Sequence, residues 1–395
     1  MVKLTLTDKQ SQGLSIAIQR YKDHEKCTVI SGYAGSGKST LVRFIIQALG
    51  VDESTVCYCA YTGKATQVLQ KKGNKNVSTL HKLLYNTKPL PNGRYVNTPK
   101  SSIDYKIIIV DEVSMAPMTL MKLLFKHDCY VICLGDPFQL PPVNKDEDNH
   151  LLDNPHIFLD EIMRQAQESE IIQISMKIRN YEQINPFNGK EVKILKKNDF
   201  STGILSWADQ VLVATNKTRV AINNTMRDML GREGSPQVGD KIICLRNYAD
   251  IRSDTKDVLV NGTIGYIKDI YDIDSFYLPY YLGRRRIENL NINFISDSDS
   301  LYTNLALDNN MIMTGEKSIT NKEEYSLARD KYFKYDIPLE FTYAYAITCH
   351  KSQGSEWEKV ALIEESFPFS KEEHARWLYT AVTRATDKLV WIRSE

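Results

Sequence analysis

The chain has 395 residues, of which 42% are hydrophobic and 25% are charged, as in ordinary globular proteins. Its formal net charge of +1 excludes a protein that attracts nucleic acid through its overall field, so any phosphate binding must come from local groups. No stretch approaches the roughly 20 consecutive apolar residues of a membrane span, which excludes a membrane-spanning protein and predicts a cytoplasmic one.

The first strong pattern is Gly-Tyr-Ala-Gly-Ser-Gly-Lys-Ser-Thr at residues 32–40, which fits the phosphate-binding loop G-x-x-x-x-G-K-[ST]. A β-rich run at 27–30 precedes it and helical spacing at 41–46 follows it, which is the context that this loop requires. The glycines let backbone N–H groups surround phosphate oxygens, and the lysine neutralises phosphate charge. The predicted nucleotide-binding residues are Gly32, Gly35, Ser36, Gly37, Lys38, Ser39 and Thr40. The alternative is a glycine-rich turn that binds no nucleotide.

A loop rich in Pro and Asn follows at 86–99, where Asn92-Gly93 is a strong signal for a two-residue hairpin turn. An ordinary exposed loop is the alternative for this segment, because nothing chemical marks it.

Two further strand patterns each end in polar side chains. The apolar run at 107–110 predicts a buried parallel strand that delivers Asp111 and Glu112 to the carboxyl edge of a sheet, where open α/β sheets bind ligands. Asp111 is a candidate Mg²⁺ ligand, together with the Ser39 hydroxyl, and Glu112 is a candidate to polarise the attacking water. A helix N-cap pair is the alternative for these two acids. The strand at 131–134 leads to Gln139, a candidate sensor of the γ-phosphate and the water.

The second half begins with a strand and polar turn at 209–216 and helical spacing at 219–230. Short β-patterned runs then fill 239–340 and predict a small barrel. They include an aromatic-rich stretch at 276–281, which either packs inside the barrel or lines a strand channel, and the basic triplet 284–286, which either meets a phosphate backbone or forms a solvated turn. Apolar runs at 341–348, 360–363 and 389–392 predict that the parent sheet resumes.

The order of these motifs resembles the superfamily 1 helicases, and the details resemble their 5′-to-3′ branch, superfamily 1B, with the RecD-like and phage Dda-like helicases. Two positions depart from the family pattern. Tyr61 stands where many relatives carry proline, and Cys133-Leu134 precedes the Gln139 motif where relatives have a basic or polar lead. Neither departure changes a residue of the hydrolysis set. Besides the motifs above, the resemblance rests on the segments 6–10, 60–65, 79–81, 135–143, 158–165, 346–356 and 379–385.

The resemblance implies an α/β fold with two RecA-like P-loop domains built on parallel sheets. It also implies a small hairpin insertion in the first domain and an SH3-like β-barrel insertion in the second. The implied boundaries are 1–85 and 103–185 for the first motor domain, 86–102 for the hairpin, 186–240 and 341–395 for the second motor domain, and 241–340 for the barrel.

The family's nucleotide contacts carry over onto matching positions. Gln10 matches the glutamine that reads adenine, and Gly354 and Glu356 lie where relatives couple the nucleotide to the second domain. Arg164 and Arg384 match arginines that reach the γ-phosphate, with a surface salt bridge as the alternative for either. The implied cofactors are ATP and Mg²⁺. The candidate catalytic set is Lys38, Asp111, Glu112, Gln139, Arg164 and Arg384.

The family also implies contacts to a DNA backbone without sequence readout. In the hairpin, Leu90 or Tyr95 is the candidate surface that splits the duplex, and Phe138 is a candidate to stack on a base. Core packing is the alternative for Phe138. For the candidates His81 and His350, the alternative is a core histidine whose hydrogen bonds are satisfied. The remaining candidates are Thr62, Lys64 and His81 in the first domain and Asn216, Thr348, His350 and Lys351 in the second.

The expected function is therefore an ATP-dependent DNA helicase that moves 5′-to-3′ on single-stranded DNA and unwinds duplexes at single-strand junctions, as a monomer. Possible partners are single-strand-binding and replication or recombination proteins, and a phage origin would place it in the host cytoplasm. The alternatives are a translocase that displaces bound proteins but unwinds poorly, a non-motor P-loop ATPase or kinase, and a DNA-binding subunit without hydrolysis.

Overall fold

A computed structural model describes residues 5–89, 95–141, 149–255, 257–330, 337–366 and 370–394, with the backbone alone at 87–89, 95, 96, 164, 165 and 249. The chain divides into two compact units. Unit 1 comprises Met1–Asn86, Asn97–Ile204 and Ser352–Glu395, and unit 2 comprises Thr87–Val96 and Leu205–Lys351. These units group the chain differently from the four segments expected above, and the domain boundaries remain a prediction.

The helices of the described chain are α1 (Asp8–Lys22), α2 (Lys38–Leu49), α3 (Gly63–Lys71), α4 (Leu80–Leu84), α5 (Met118–Leu124), α6 (Arg164–Gln167), α7 (Glu170–Arg179), α8 (Thr202–Trp207), α9 (Asn216–Met229), α10 (Asn309–Thr314), α11 (Asn321–Leu327), α12 (Cys349–Ser352) and α13 (Lys371–Val382). Capping boxes begin α1, α11 and α13, where the side chains of Thr7, Thr320 and Ser370 accept from the helix backbone. Among the described residues, no helix combines the length and the apolar character needed to cross a membrane.

The strands before residue 200 are β1 (Cys27–Gly32), β2 (Val56–Ala60), β3 (Val77–Thr79), β4 (Tyr85–Pro89), β5 (Tyr95–Pro99), β6 (Ile107–Asp111), β7 (Tyr130–Gly135), β8 (Ile157–Leu159), β9 (Phe187–Asn188) and β10 (Val192–Lys196). The later strands are β11 (Gln210–Val213), β12 (Lys241–Cys244), β13 (Tyr248–Arg252), β14 (Val258–Leu259), β15 (Ile264–Tyr277), β16 (Arg286–Ser296), β17 (Leu301–Asp308), β18 (Phe341–Tyr343), β19 (Ala346–Thr348), β20 (Trp357–Ile363) and β21 (Ala385–Arg393). Strands β4 and β5 form a two-stranded sheet, as the hairpin signal predicts.

The main sheet of unit 1 is parallel and covered on both faces. Its strand order is β3-β2-β6-β7-β1-β8, and every pair in it is parallel. One core cluster joins this sheet to side chains of α1 and α2, and another joins it to α4 and α5. Because helices cover both faces of the sheet, its strands are buried on both sides, which explains why residues 107–110 are all apolar. The predicted α/β fold is confirmed.

The register of this sheet brings several strand ends to one edge. Ser31 of β1 lies opposite Gly135 of β7, and Ala60 of β2 lies opposite both Asp111 of β6 and Thr79 of β3. Because all these strands run the same way, the loops that follow them emerge together.

Unit 1 also contains the parallel strands β20, β21 and β10, followed by β9, which is antiparallel to β10. Helix α13 is buried along most of its length, and Trp377 and Trp391 are among the largest fully buried side chains of the described chain. This part of the unit therefore has a substantial core of its own.

Unit 2 is built around an antiparallel sheet of order β17-β16-β15-β12-β18. Instead of several short runs, residues 264–277 form one long strand, β15, which includes the first two residues of the aromatic stretch 276–281 and pairs with β16 over its length with two irregularities in register. Such bulges increase the local twist of a long hairpin. The SH3-like identity of this insertion remains a prediction.

The apolar run 341–348 forms two strands instead of one. Strand β18 joins the antiparallel sheet, whereas β19 pairs in parallel with β11. The buried side chain of Asn223 bonds to the backbone where the run divides: its Nδ2 donates to the carbonyls of Tyr343 (3.2 Å) and Ala346 (3.0 Å), and its Oδ1 accepts from the N–H of Ala346 (2.8 Å). The Asn223 side chain on α9 thus bonds to the backbone groups of Tyr343 and Ala346 between β18 and β19, in place of sheet partners.

We expect Asn223→Ala to destabilise unit 2 by about 2–4 kcal/mol, because it leaves buried backbone groups without partners. The measurement is the midpoint of the urea unfolding transition of unit 2, and Asn224→Ala, at the exposed neighbouring position of α9, is the matched control. Equal midpoints for the two variants would show that the corner does not depend on the Asn223 amide.

Candidate active site

The segment 33–37 forms a loop between the central strand β1 and helix α2, as the sequence predicts. Gly35 and Gly37 have φ angles of 76° and 79°, which favour glycine. A Cβ on Gly37 would also lie 2.4 Å from Nε2 of Gln10, so a side chain has no room there. Because Gly37 has no side chain with which to cap α2, the first N–H groups of that helix are left for an anion.

The loop contains the polar groups that a phosphate needs. Nζ of Lys38 donates to the carbonyls of Gly32 (2.7 Å) and Tyr33 (3.0 Å), which places the ammonium group inside the loop. The hydroxyl of Ser36 is buried and has no hydrogen-bond partner among the described residues. A cation, an unpartnered hydroxyl and the start of a helix therefore converge, and these residues fit a bound phosphate group.

Gln10 contacts the same loop from α1. It is only 1% exposed, and its Oε1 accepts from the N–H of Thr7 in the capping box. Its Nε2 donates to the carbonyl of Ser36 (3.2 Å) and faces Sδ of Met163 at 3.4 Å. The structure therefore places Gln10 beside the loop, while its contact with adenine remains a prediction.

Asp111 and Glu112 follow β6 at the same edge of the sheet. Glu112 has a φ of 50°, a conformation that costs a non-glycine residue about 1 kcal/mol or more and that turns the chain sharply. Oδ1 of Asp111 accepts from the N–H of Glu112 (3.0 Å). Removal from water raises the pKa of both carboxyls, and the positive charges of Lys38 and Arg384 partly oppose this for Asp111 and Glu112 respectively.

Gln139 links the carboxylate to an arginine. With its amide oriented to satisfy the hydrogen-bond network, Nε2 donates to Oε2 of Glu112 (3.1 Å) and Oε1 accepts from Nη2 of Arg384 (3.1 Å). The sequence places these three residues far apart. The fold joins them in one chain of hydrogen bonds.

Arg384 is 4% exposed, so the alternative of a surface salt bridge does not describe it. Its Nε donates to the carbonyl of Thr380 (3.1 Å) and its Nη1 to the carbonyl of Ser355 (3.3 Å), which fix the guanidinium plane. Arg164 is the first residue of α6, and its side chain lies outside the described part of the chain.

The expected site residues do not include three residues at this edge, which are Tyr379, Thr380 and Gln353. The hydroxyl of Tyr379 accepts from the N–H of Ala34 in the loop (2.8 Å) and donates to Oδ2 of Asp136 (2.6 Å). Burial raises the pKa of Tyr379 well above its usual value, so the hydroxyl keeps the proton that it donates. The sequence segment 379–385 contains this tyrosine, but the pattern does not show what its hydroxyl touches.

Thr380 and Gln353 fix the loop after β7. The N–H of Leu140 donates to Oγ1 of Thr380 (2.9 Å), and Nε2 of Gln353 donates to the carbonyl of Leu140 (2.7 Å). Both backbone groups of Leu140, one residue beyond Gln139, are thereby satisfied. The position of the Gln139 amide follows from this anchoring.

The segment 353–356 also contacts α3. Gly354 has a φ of 74°, and a Cβ there would lie 2.9 Å from Cβ of Ala65, so only glycine permits this approach. Glu356 forms an ion pair with Lys72 (3.6 Å). Thr62 accepts from the N–H of Ala65 and caps α3. The expected DNA-contacting residues Thr62 and Lys64 therefore lie at the start of a helix that touches the Gly354 segment.

His81 and Phe138 have different surroundings. His81 is exposed, with its ring centroid 5.7 Å from that of Tyr61 and 6.2 Å from that of Tyr85, so it is not a core histidine. Phe138 is half-buried and packs edge-on against Tyr379 at 5.2 Å. Phe138 is therefore packed against a neighbour without being a fully buried core residue, and its stacking on a base remains a prediction.

The expected DNA contacts of unit 2 gather at the carboxyl edge of β11 and β19. Val213 of β11 lies opposite Thr348, and Asn216 begins the helix that follows β11. His350 and Lys351 lie in the short helix α12 after β19, and burial lowers the pKa of both side chains. Leu90 and the side chain of Tyr95 lie outside the described residues.

Comparison with known proteins bears on this geometry. Residues 5–201 match the model of an AAA domain, and residues 343–392 match that of the UvrD-like helicase C-terminal domain. The chain is 26% identical to the ATP-dependent RecD2 DNA helicase of Deinococcus radiodurans over 92% of its own length and 46% of that protein. It is 32% identical to the ATP-dependent DNA helicase dda of Enterobacteria phage T4 over 36% of its own length and 34% of that protein.

The chain therefore spans less than half the length of these two curated relatives. Among solved structures, it is similar to the Pif1 helicase of Bacteroides in complex with ADP-AlF3 and ssDNA, with a TM-score of 0.53, 18% identity, and coverage of 100% of this chain and 93% of that one. Identity at this level shows a shared fold.

We expect Tyr379→Phe to lower the free energy of unfolding of unit 1 by about 1–3 kcal/mol, since the N–H of Ala34 and the carboxylate of Asp136 both lose a buried partner. Urea unfolding measures the change, and Tyr181→Phe, at a tyrosine that is 42% exposed, is the control. A loss no larger than that of the control would mean that the hydroxyl contributes nothing to the loop.

The raised pKa of Glu112 gives a second expectation. A carboxyl that binds its proton more tightly in the folded state makes stability fall as pH rises from the ordinary pKa of glutamate towards the raised one. Glu112→Gln removes this penalty, so it should stabilise the protein more at pH 8 than at pH 4. Unfolding midpoints at both pH values measure this, with the exposed Glu358→Gln as control. A pH-independent gain would contradict the assignment.

Proposed function

We propose that the chain is an ATP-dependent DNA helicase of superfamily 1B, because it is similar to the models and relatives above and because of the geometry of unit 1. The observation that carries the proposal is the hydrogen-bonded chain from Glu112 through Gln139 to Arg384, beside a phosphate-binding loop. A carboxylate, an amide and a buried arginine in this arrangement suit hydrolysis of a nucleoside triphosphate.

ATP would bind with its phosphates on the loop 32–40, where Lys38 and the first N–H groups of α2 neutralise their charge. Gln10, whose amide bonds to the backbone of Thr7 and Ser36, is proposed to contact the adenine. Ser39 and Asp111 would hold Mg²⁺, which would neutralise negative charge of the phosphates when bound.

Hydrolysis needs a base and a stabilising cation. The Glu112 carboxylate accepts a proton from the attacking water, whose oxygen bonds to the γ-phosphorus. The bond from that phosphorus to the bridging oxygen of the β-phosphate breaks, so ADP leaves with the bridging oxygen and inorganic phosphate is formed. The raised pKa of Glu112 makes it a stronger base than an exposed glutamate. Arg384 stabilises the charge on the transferring phosphoryl group. Gln139 holds the Glu112 carboxylate and the Arg384 guanidinium group in position relative to each other. Arg164 is proposed as a second arginine.

The contacts of 353–356 suggest how the nucleotide influences the DNA-contacting helix. The carbonyl of Ser355 binds Arg384, Gly354 lies against Ala65 of α3, and Glu356 pairs with Lys72. A movement of Arg384 that follows loss of the γ-phosphate would displace this segment and with it the start of α3, where Thr62 and Lys64 are proposed to hold the strand.

The substrate is proposed to be single-stranded DNA and its junctions with duplex, held through backbone contacts that read no sequence. Further proposed contacts are His81 and Phe138 in unit 1 and Asn216, Thr348, His350 and Lys351 in unit 2, with the hairpin 86–102 as the strand separator. Movement from 5′ to 3′, action as a monomer in the cytoplasm, and cooperation with single-strand-binding or recombination proteins complete the proposal.

The test is ATP-dependent strand separation on two partial duplexes, one with a 5′ single-stranded tail and one with a 3′ tail. Lys38→Ala, which removes the cation of the loop, is the blank and should abolish hydrolysis while it still binds single strands. We expect separation only from the 5′ tail. Release of labelled strand measures unwinding, and release of phosphate measures hydrolysis.

Separation from the 3′ tail alone would reverse the proposed polarity. DNA-stimulated hydrolysis without separation from either tail would identify a translocase and would argue against the hairpin as separator. Hydrolysis that DNA does not stimulate would support a non-motor P-loop enzyme instead.

A further inference from the structure

The end of the β15–β16 hairpin in unit 2 exposes tyrosines in an alternating pattern. Phe276 and Leu278 are 3% and 1% exposed, whereas Tyr277 and Tyr280 are 60% and 80% exposed. The aromatic stretch therefore divides between a core and a surface. The outward rings are large apolar faces that the fold does not use.

The backbone beneath these rings is held firmly. Phe276 and Leu278 belong to a small core with Ile287, Ile319 and Leu327, so the hairpin end packs against α11. Nη2 of Arg285 forms an ion pair with Glu323 at 2.5 Å, and the hydroxyl of Tyr281 bonds to Asp330 at 2.6 Å. Contacts on two sides thus fix the segment that presents the exposed rings.

Arg284 lies between the two exposed tyrosines. Its guanidinium carbon is 5.8 Å from the ring centroid of Tyr277 and 5.2 Å from that of Tyr280, and its Nη1 donates to the Tyr280 hydroxyl at 3.3 Å. Arg285 and Arg286 have ion-pair partners in Glu323 and Glu288. No carboxylate of the described residues lies within ion-pair distance of Arg284, so its charge is available to a ligand.

Two ring faces with a free cation between them form a surface that we name the tyrosine platform, defined as Tyr277, Tyr280 and Arg284. Bases of a single strand stack on exposed aromatic rings, and a guanidinium group contacts either a phosphate or a base face. In a duplex the base faces are already stacked, so they cannot use these rings. The chemistry therefore fits a flexible single strand.

We propose that the tyrosine platform binds single-stranded DNA as a contact separate from the ATP-binding unit and independent of ATP. The choice of DNA as ligand rests on the proposed helicase function. Binding through stacking is tolerant of sequence, and with one guanidinium group it depends only weakly on salt. The platform would retain the strand while the motor residues release it.

The test is the affinity of the full chain for fluorescein-labelled oligothymidylate, measured by anisotropy without nucleotide. The double variant Tyr277→Ala/Tyr280→Ala should bind about tenfold to a hundredfold more weakly, because base stacking is lost. Tyr280→Phe should bind like wild type, since the ring face remains. Tyr271→Ala is the matched control. Tyr271 is an exposed tyrosine of the same strand that is not part of the platform, and its hydroxyl bonds to Asn293.

Arg284→Ala should weaken binding and reduce the slope of log affinity against log salt by about 0.7, the value for one phosphate contact. The concentration of DNA that half-stimulates ATP hydrolysis should rise in the double variant, while the maximal rate stays at the wild-type value. A fall in the maximal rate at unchanged affinity would contradict a binding role.

A double variant that binds oligothymidylate like the Tyr271→Ala control would overturn the platform while leaving the helicase proposal intact. Platform-dependent binding in a chain that separates no strands would support the platform and reject the helicase proposal. A labelled hexaglutamate peptide is the comparison ligand. If the double variant loses the peptide but not the DNA, the platform belongs to an acidic protein partner and the inference fails.

Discussion

The parallel register of the main sheet is the constraint on which the site depends. Because β1, β6 and β7 run together and end level, the loop after Gly32, the carboxylates after Val110 and the segment after Gly135 meet at one edge. The strands themselves contribute mainly apolar side chains to two cores, with Thr28 and Ser31 of β1 as buried hydroxyls. The polar side chains of the site therefore lie at the ends of strands, where the backbone leaves the sheet.

A second set of contacts fixes that edge from α13 and the segment before β20. Tyr379 binds the loop and Asp136, Thr380 and Gln353 bind Leu140, and Arg384 meets Gln139. Each contact satisfies a buried polar group on both partners, so a shift of α13 would break several bonds together. This shared dependence gives a physical reason why the state of the phosphate site and the position of the arginine would change as one event.

The sequence predicted those features whose cause is local. The loop 32–40, the strand before Asp111 and the hairpin signal each depend on neighbouring residues, and the structure contains all three elements. It did not predict the bonds of Tyr379, which join positions 243 and 345 residues apart, because no local pattern specifies a long-range partner. The division of 341–348 was missed for the same reason, since the amide that causes it lies on α9, more than a hundred residues earlier.

The low net charge of the chain limits how it can hold DNA. A formal net charge of +1 provides no long-range attraction for DNA, so a strand must be held by particular groups, and most arginines near the hairpin end are already paired with carboxylates. Pairing leaves Arg284 between two rings as a local cation with apolar neighbours. Stacking loses little strength in salt, whereas ion pairing weakens, so a chain with almost no net charge would gain most from rings that hold bases.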